Sequence, residues 1–225
     1  MRMPARLLFP DPPTASDVLV FAQRAAATGD GLVRLRALDG ALVVTCAPLA
    51  PQTLLEATPT VLGMRIAAVD PELVCDLVVD GGSLTASDEP NALALPDSAR
   101  TAPWAGVSPP RSGWTAAGEI SAATLAARAQ WGIAAVAESV PTDAGEDAVR
   151  AVRSAVWGAS DDDLLGLPLG IAFAAFALGF IAGEEVGHVR RSGPWTRVSL
   201  QRGHVLTRGT VRSGLTEVRR TGVTG

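Results

Sequence analysis

Residues 164–183 carry no charged side chain, and this length of twenty residues is that of a membrane-spanning helix. Pro168 and the many glycines and alanines of the segment are also typical of a helix packed tightly inside a protein. Acidic residues flank both ends, and neither end has the aromatic belt of a membrane span. We therefore predict a buried central helix over residues 168–182, with a membrane span as the alternative.

The first 85 residues have the pattern of an antiparallel α+β unit. Ser16 and Asp17 precede a helical apolar pattern that ends at Gly29. Two apolar runs within 33–46 flank Asp39-Gly40, a pair that favours a type I′ hairpin turn. A second hairpin is predicted from 64–69 and 73–79, around the turn residues 70–72.

Residues 86–118 differ in composition from what precedes them. They contain five prolines, with Ser, Gly and Asp between them and tryptophans at 104 and 114. This composition predicts a long irregular connection, either a linker or a surface loop. The expected division of the chain is an antiparallel α+β domain over 1–85, a Pro-rich loop or linker over 86–118, and a helical domain with a C-terminal hairpin over 119–225.

The second half begins with helical patterns. Residues 121–139 are rich in alanine, and Asp143 with Glu146 has the spacing of a capping box that opens another helix. A terminal hairpin is predicted from 195–200 and 204–208. The fold class expected is α+β: antiparallel hairpins with one helix in the N-terminal half, a helical C-terminal half around the buried apolar helix, and a terminal β-hairpin.

Cys46 and Cys75 are the only cysteines, and both lie in apolar runs with a strand pattern. We expect two reduced, buried thiols, because free cysteine is among the most buried residue types. A disulfide or a metal pair is the alternative. The apolar run near the N-terminus is too short for a signal peptide, so a cytoplasmic location is the expectation.

Charge is unevenly distributed along the chain. All nineteen basic residues are arginines, and the net charge is −4. Residues 1–183 carry eleven arginines against twenty acids, whereas residues 184–225 carry eight arginines against three acids. A basic end of this kind either contacts a nucleic acid or another anionic partner, or docks on the acidic body of its own chain.

Motifs of catalysis and cofactor binding are missing from the sequence. It has no dinucleotide-binding or phosphate-binding glycine pattern, no HExxH and no GxSxG. We predict no catalytic residue, no cofactor and no metal, and we interpret the protein as more likely not an enzyme. An enzyme whose site is assembled from scattered residues is not excluded by a motif search.

Two segments have the composition of recognition surfaces. The first places an arginine and a tryptophan in a stiff, proline-containing loop. The second concentrates arginines, a histidine and a tryptophan around the terminal hairpin, a set that is able to contact a phosphate backbone. The candidate binding residues are Arg111, Trp114, Arg190, Arg191, Trp195, Arg197, Arg202 and His204.

The same two regions resemble a family of uncharacterised actinobacterial proteins. The resemblance rests on residues 109–114, on 177–180, and on the segments 195–197 and 202–206 of the terminal hairpin. The resemblance implies a cytoplasmic bacterial protein, and the family has no known activity that could be carried over to this chain. The function predicted is a non-enzymatic binding or protein-interaction role, with a protein partner or self-association. A nucleic-acid-associated regulator that uses the basic hairpin is the runner-up, although nucleic acid is disfavoured as a partner and a membrane is unlikely.

Overall fold

A computed structural model describes residues 6–53 and 56–209. Its main feature is an eight-stranded, wholly antiparallel sheet in the order β5-β2-β3-β4-β13-β12-β11-β8. A three-stranded sheet (β1-β7-β6) and a two-stranded ribbon (β9-β10) lie outside it. The strands are β1 (Arg6–Leu8), β2 (Leu32–Leu38), β3 (Ala41–Leu49), β4 (Thr60–Ala68), β5 (Cys75–Asp80), β6 (Thr85–Ala86), β7 (Ala92–Ala94), β8 (Thr115–Ser121), β9 (Ser160–Asp161), β10 (Leu167–Pro168), β11 (Val186–Ser192), β12 (Trp195–Leu200) and β13 (Gly203–Arg208).

Four α-helices are present in the described residues: α1 (Pro12–Ala26), α2 (Ala122–Ser139), α3 (Glu146–Gly158) and α4 (Gly170–Ala177). Two of these helices each precede a three-stranded antiparallel meander. Helix α1 leads into the meander β2-β3-β4, and α4 leads into the meander β11-β12-β13. The last strands of the two meanders, β4 and β13, pair antiparallel and make one continuous sheet. The prediction of a mixed α+β protein with antiparallel sheets is therefore confirmed.

Helices α1 and α4 cover one face of the large sheet, which we call the inner face. Phe21 of α1 and Phe180, just after α4, stack with ring centroids 5.8 Å apart, and neither ring is exposed to solvent by more than 2%. Phe180 also lies against Gly203 of β13, where an added Cβ would stand 2.4 Å from its ring. Glycine at 203 thus allows the aromatic pair to reach the sheet.

The apolar segment of the second half forms a shorter helix than expected. Helix α4 is buried but ends at Ala177, because Gly179 (φ +70°) terminates it in a Schellman arrangement. The N–H of Gly179 donates to the carbonyl of Phe176, and that of Phe180 donates to the carbonyl of Ala175. Within the described ranges, no helix has both the length and the apolar character needed to cross a membrane.

Two further boundaries differ from the sequence expectation. Helix α1 begins at Pro12, with Asp11 as its N-cap accepting from the Thr14 N–H, because proline is well placed in a first helical turn. Helix α3 begins at Glu146, two residues later than a capping box at Asp143 implies, and its N-cap is Gly145, which makes no side-chain hydrogen bond. The capping box assigned to Asp143 was therefore wrong.

The second predicted hairpin was also wrong. Strand β4 pairs with β3 on one side and with β13 on the other, so that both of its edges are taken. Strand β5 instead lies at the edge of the sheet, where it pairs with β2. Its outer edge meets Arg100, whose N–H donates to the carbonyl of Val78 at 2.7 Å.

The description of the second half as helical was incomplete, since it supplies four strands to the large sheet. The terminal hairpin is present as β12 and β13.

The predicted turn between β2 and β3 is also present, since Asp39 (φ +52°) and Gly40 (φ +76°) have the positive φ angles that it requires. Cys46 and Cys75 are free and buried, and burial raises the pKa of both thiols. The division into 1–85, 86–118 and 119–225 stays a prediction.

Candidate binding cleft

The outer face of the large sheet, opposite the helices, carries a cleft. The Pro-rich segment 103–114 passes over this face and leaves a space of about 470 Å³ beneath it. The cleft reaches across five neighbouring strands, β2, β3, β4, β13 and β12. It is lined by Arg34, Arg36, Leu38, Asp39, Ala41, Val43, Thr45, Leu62, Met64, Ile66, Trp104, Ala105, Val107, Ser108, Pro109, Pro110, Arg111, Trp114, Arg197 and Leu206.

Specific contacts hold the Pro-rich segment over the sheet. Trp104 is buried, and its Nε1 donates to Asp30 Oδ2 at 2.8 Å. Arg34 Nη1 donates to the carbonyl of Ala105 at 2.7 Å and to Ser108 Oγ at 3.1 Å. These bonds fix the start of the segment to β2 and to Asp30 just before it, so the roof of the cleft is part of the folded structure.

The floor of the cleft is apolar and partly open to solvent. Strand alternation places Met64 and Ile66 of β4 on the outer face beside Val43 of β3. The Ile66 side chain is 54% exposed, and Leu38 and Val107 near it are 40% and 42% exposed. The cleft therefore offers apolar surface that the described residues leave uncovered.

At the β2 end of the cleft, the positive charge is neutralised. Arg34 forms a two-bond pair with Asp76 of β5, from Nε to Oδ1 and from Nη2 to Oδ2, both at 2.7 Å. The hydrogen bonds from Arg34 lower the pKa of the Asp76 carboxyl. Arg36 also approaches this carboxylate, with Nε 3.9 Å from Oδ2. An incoming anion would compete with Asp76 here.

At the β12 end, the described residues supply no such carboxylate partner for the positive charge. The guanidinium of Arg197 lies over the ring of Trp114, 4.5 Å from its centroid, and Trp114 Nε1 donates to the carbonyl of Pro110 at 3.0 Å. Arg197 Nε is buried and has no hydrogen-bond partner among the described residues. Burial, and then the charge of Arg190, lower the pKa of Arg197.

Of the candidate residues from the sequence, Arg111, Trp114 and Arg197 line the cleft. Arg190 stands beside them, because it is the cross-strand neighbour of Arg197. Trp195 is buried in a cluster beneath this end, with Leu62, Trp104 and Leu206. The structure thus brings these five of the eight residues together at the β12 end of the cleft, and His204 lies on the same face of the sheet, in register with Met64, but outside the lining.

The other three are placed differently. Arg191 pairs in register with Thr196, and alternation directs it away from the cleft. Arg202 lies in the β12–β13 turn, where its carbonyl accepts from Arg65 Nη1 at 2.6 Å. His204 Nδ1 is 3.0 Å from Ser199 Oγ, and burial, followed by the charge of Arg197, lowers the pKa of this histidine. These residues do not line the cleft.

The apolar floor and the arginines of β2 were not among the residues predicted for a site. The sequence held a signal for the arginines, because Arg34 and Arg36 alternate with Val33 and Leu35 in the first hairpin. No metal site emerges in residues 6–53 and 56–209, where no group of three or more His, Cys, Asp or Glu side chains is arranged to hold an ion.

The comparisons with known proteins give two matches to uncharacterised domains. Residues 3–106 match the model of a domain of unknown function (DUF8010), and residues 109–212 match that of a second one (DUF8185). The resemblance to uncharacterised proteins is thereby confirmed, whereas an actinobacterial origin stays a prediction. The two matches meet within the Pro-rich segment, and residues from both line the cleft. No curated protein matches the chain.

Among solved structures, the chain is partly similar to two bacterial DNA polymerase sliding clamps. The clamp of Bartonella birtlesii, bound to griselimycin, is 12% identical with a TM-score of 0.49, and the match covers 96% of this chain and 67% of that one. The clamp of Caulobacter crescentus is 12% identical with a TM-score of 0.47, covering 95% and 67%. At this level the likeness does not indicate what this chain binds.

Proposed function

We propose that this chain is a non-enzymatic binding protein of the cytoplasm that takes up a segment of a partner protein in the outer-face cleft. The observation that carries the proposal is the apolar floor, left 54% exposed at Ile66 under a roof fixed by hydrogen bonds. Apolar surface of this kind, bordered by polar residues, is typical of interaction sites.

The shape of the cleft supports a peptide as the occupant. Five adjacent strands at a spacing of about 4.8 Å give a length of about 19 Å. An extended peptide covers about 3.3 Å per residue, so five or six residues match this length. The aromatic and proline side chains of the roof supply contacts for such a chain.

The ionisable side chains of the lining support binding rather than catalysis. They are four arginines, at 34, 36, 111 and 197, and one acid, Asp39 in the hairpin turn. Arginine presents a rigid fork of donors that suits anion recognition and stays charged, whereas proton transfer needs a group that titrates near neutral pH. An enzyme would need reacting groups supplied from outside this lining.

The runner-up is a nucleic-acid-associated regulator that uses the terminal hairpin. Arg190 and Arg197 are neighbours on one face, which favours it, but Arg191 is directed to the other face and Arg202 lies in the turn. At physiological salt we expect weak, sequence-independent binding at most, since the net charge of −4 opposes attraction to a polyanion. Tight, selective binding to DNA or RNA that is lost when these four arginines are neutralised would replace the proposal.

The direct test is selection from a displayed library of random eight-residue peptides, followed by anisotropy titration of the selected sequences. We expect Ile66→Arg to weaken binding at least tenfold, because it places a charge on the apolar floor. Val74→Arg is the matched control: Val74 is 57% exposed and lies outside the cleft, so its change leaves affinity within about twofold. If no peptide is enriched, or if those enriched bind Ile66→Arg equally well, the proposal fails.

A further inference from the structure

We propose that the partner segment is acidic and that one of its carboxylates binds Arg197 at the β12 end of the cleft. This inference rests on the proposed function and adds the chemistry and the orientation of the occupant. The apolar side chains of the segment lie over β4, and the acid lies toward β12.

The position of Arg197 suits it to bind an anion. Stacking on Trp114 holds the guanidinium plane, and the Trp114 ring is itself fixed by its bond to Pro110. The buried Nε–H of Arg197 has no acceptor in the described part of the chain. A buried donor without an acceptor costs free energy, and a carboxylate, which accepts two parallel bonds from a guanidinium, removes that cost.

The positive charge of Arg190, on the neighbouring strand, also favours an anion at this position. Arg190 stands directly opposite Arg197, and like charges at such a position destabilise a sheet. The acid on the nearby edge strand, Glu119, pairs in register with His188 and contacts His188 Nδ1 at 3.1 Å. Arg111 of the roof adds a third positive charge to this end of the cleft. An anion bound here would relieve the repulsion.

Arg34 provides an internal comparison. It lines the same cleft and has the same side chain, but its donors are taken by Asp76, Ala105 and Ser108. Within residues 6–53 and 56–209, a carboxylate is thus supplied to the arginine that fixes the roof and none to Arg197. We infer that the carboxylate for Arg197 comes from the partner.

The register gives the spacing expected in the ligand. Arg197 is level with Leu206 of β13, which is level with Leu62 of β4. Met64 is two residues further along β4, so it lies about 12 Å from Arg197 at ordinary strand spacings. In an extended peptide, the acid and the apolar side chain over Met64 are therefore three to four residues apart.

The experiment uses the same library and the full chain. Peptides selected on the wild-type protein should share an Asp or Glu three to four positions from an apolar residue. Changing that acid to Asn or Gln should weaken binding to the wild type by about tenfold to a hundredfold, the range for hydrogen bonds to charged groups. Arg197→Gln should cause a similar loss, and the two changes together should cost little more than either alone.

Arg191→Gln is the matched control, because it removes one charge from the same hairpin on the face away from the cleft. We expect it to leave affinity within about twofold. If Arg197→Gln does not fold, Arg190→Gln, on an exposed side chain, replaces it, with a smaller loss that is specific to acidic peptides. A selection without enriched acids, or an equal loss for Arg191→Gln, would overturn the inference.

The inference and the proposed function fail in different ways. Peptides that depend on Ile66 but not on their acids would leave the cleft as the binding site and remove the role of Arg197. Peptides that do not depend on Ile66 would remove both. If nucleic acid binds more tightly than every selected peptide at physiological salt and depends on Arg197, the partner is a polyanion and the inference is wrong.

Discussion

The two faces of the large sheet use the same strands for different purposes. In β2, Val33 and Leu35 point inward and are fully buried, whereas Arg34 and Arg36 between them point outward into the cleft. The inner face is closed by α1 and α4, and the outer face is covered only in part by the Pro-rich segment. Strand alternation thus separates the side chains that stabilise the fold from those proposed to bind a partner, so changes on one face should affect one property more than the other.

The largest expected effect is on the inner face. Phe180→Ala should lower the free energy of unfolding by about 3–5 kcal/mol, because it leaves a cavity between Phe21 and Gly203. Chemical denaturation measures this loss. Phe176→Ala is the control: this ring lies near the end of α4, four residues before Phe180, but is 41% exposed, and we expect a clearly smaller cost. Equal costs would contradict a core centred on Phe180.

The turn between β2 and β3 supports both faces, because residues of each strand alternate between core and cleft. Gly40→Val should cost about 1–3 kcal/mol, since a β-branched residue resists a φ of +76°. Ala41→Val places the same side chain one residue later, on an exposed strand position that tolerates it. Thermal unfolding of the two variants checks the difference, and no loss for Gly40→Val would show that the turn has another conformation.

The parts of this fold that the sequence predicted are local. The Asp39-Gly40 turn, the terminal hairpin and the burial of both cysteines depend on neighbouring residues, and each is present. The prediction of the second hairpin failed because the residues of β2 that pair with β5 lie 38 to 48 positions upstream, and no local pattern distinguishes β2 from β4 as the partner. For the site, composition identified Arg111, Trp114 and Arg197 but not the floor, because the cleft exists only where segment 103–114 crosses five strands.

A smaller effect is expected from the ion pair that fixes the roof of the cleft. The pKa of Asp76 is below its ordinary value of 3.8 because of Arg34, so the pair stabilises the fold above that pH and the contribution is lost as the pH falls through the lowered pKa. Asp76→Asn should cost about 1 kcal/mol or less near neutral pH, since the Asp76 side chain is half exposed.

Urea unfolding of the wild type and of Asp76→Asn at pH 7 and at pH 2–3 tests this sign. The difference in the free energy of unfolding should shrink at the lower pH, where the wild-type carboxyl becomes protonated. A difference that grows on acidification would contradict a stabilising pair between β2 and β5. Binding of the selected peptides should also weaken in Asp76→Asn, because the roof loses part of its attachment.

The smallest effect on stability is expected from Ile66→Ala on the floor of the cleft. Ile66 is 54% exposed, so its truncation removes little burial and should change the free energy of unfolding by about 0.5–1 kcal/mol at most. The same change should weaken peptide binding severalfold, because it removes apolar surface that the ligand would cover. Val74→Ala, at 57% exposure outside the cleft, should alter neither quantity.

Denaturation and anisotropy titration on the same samples of Ile66→Ala separate the effect on stability from the effect on binding. A cost above about 2 kcal/mol for Ile66→Ala would mean that the outer face belongs to the core and that the two faces are not distinct in the way proposed.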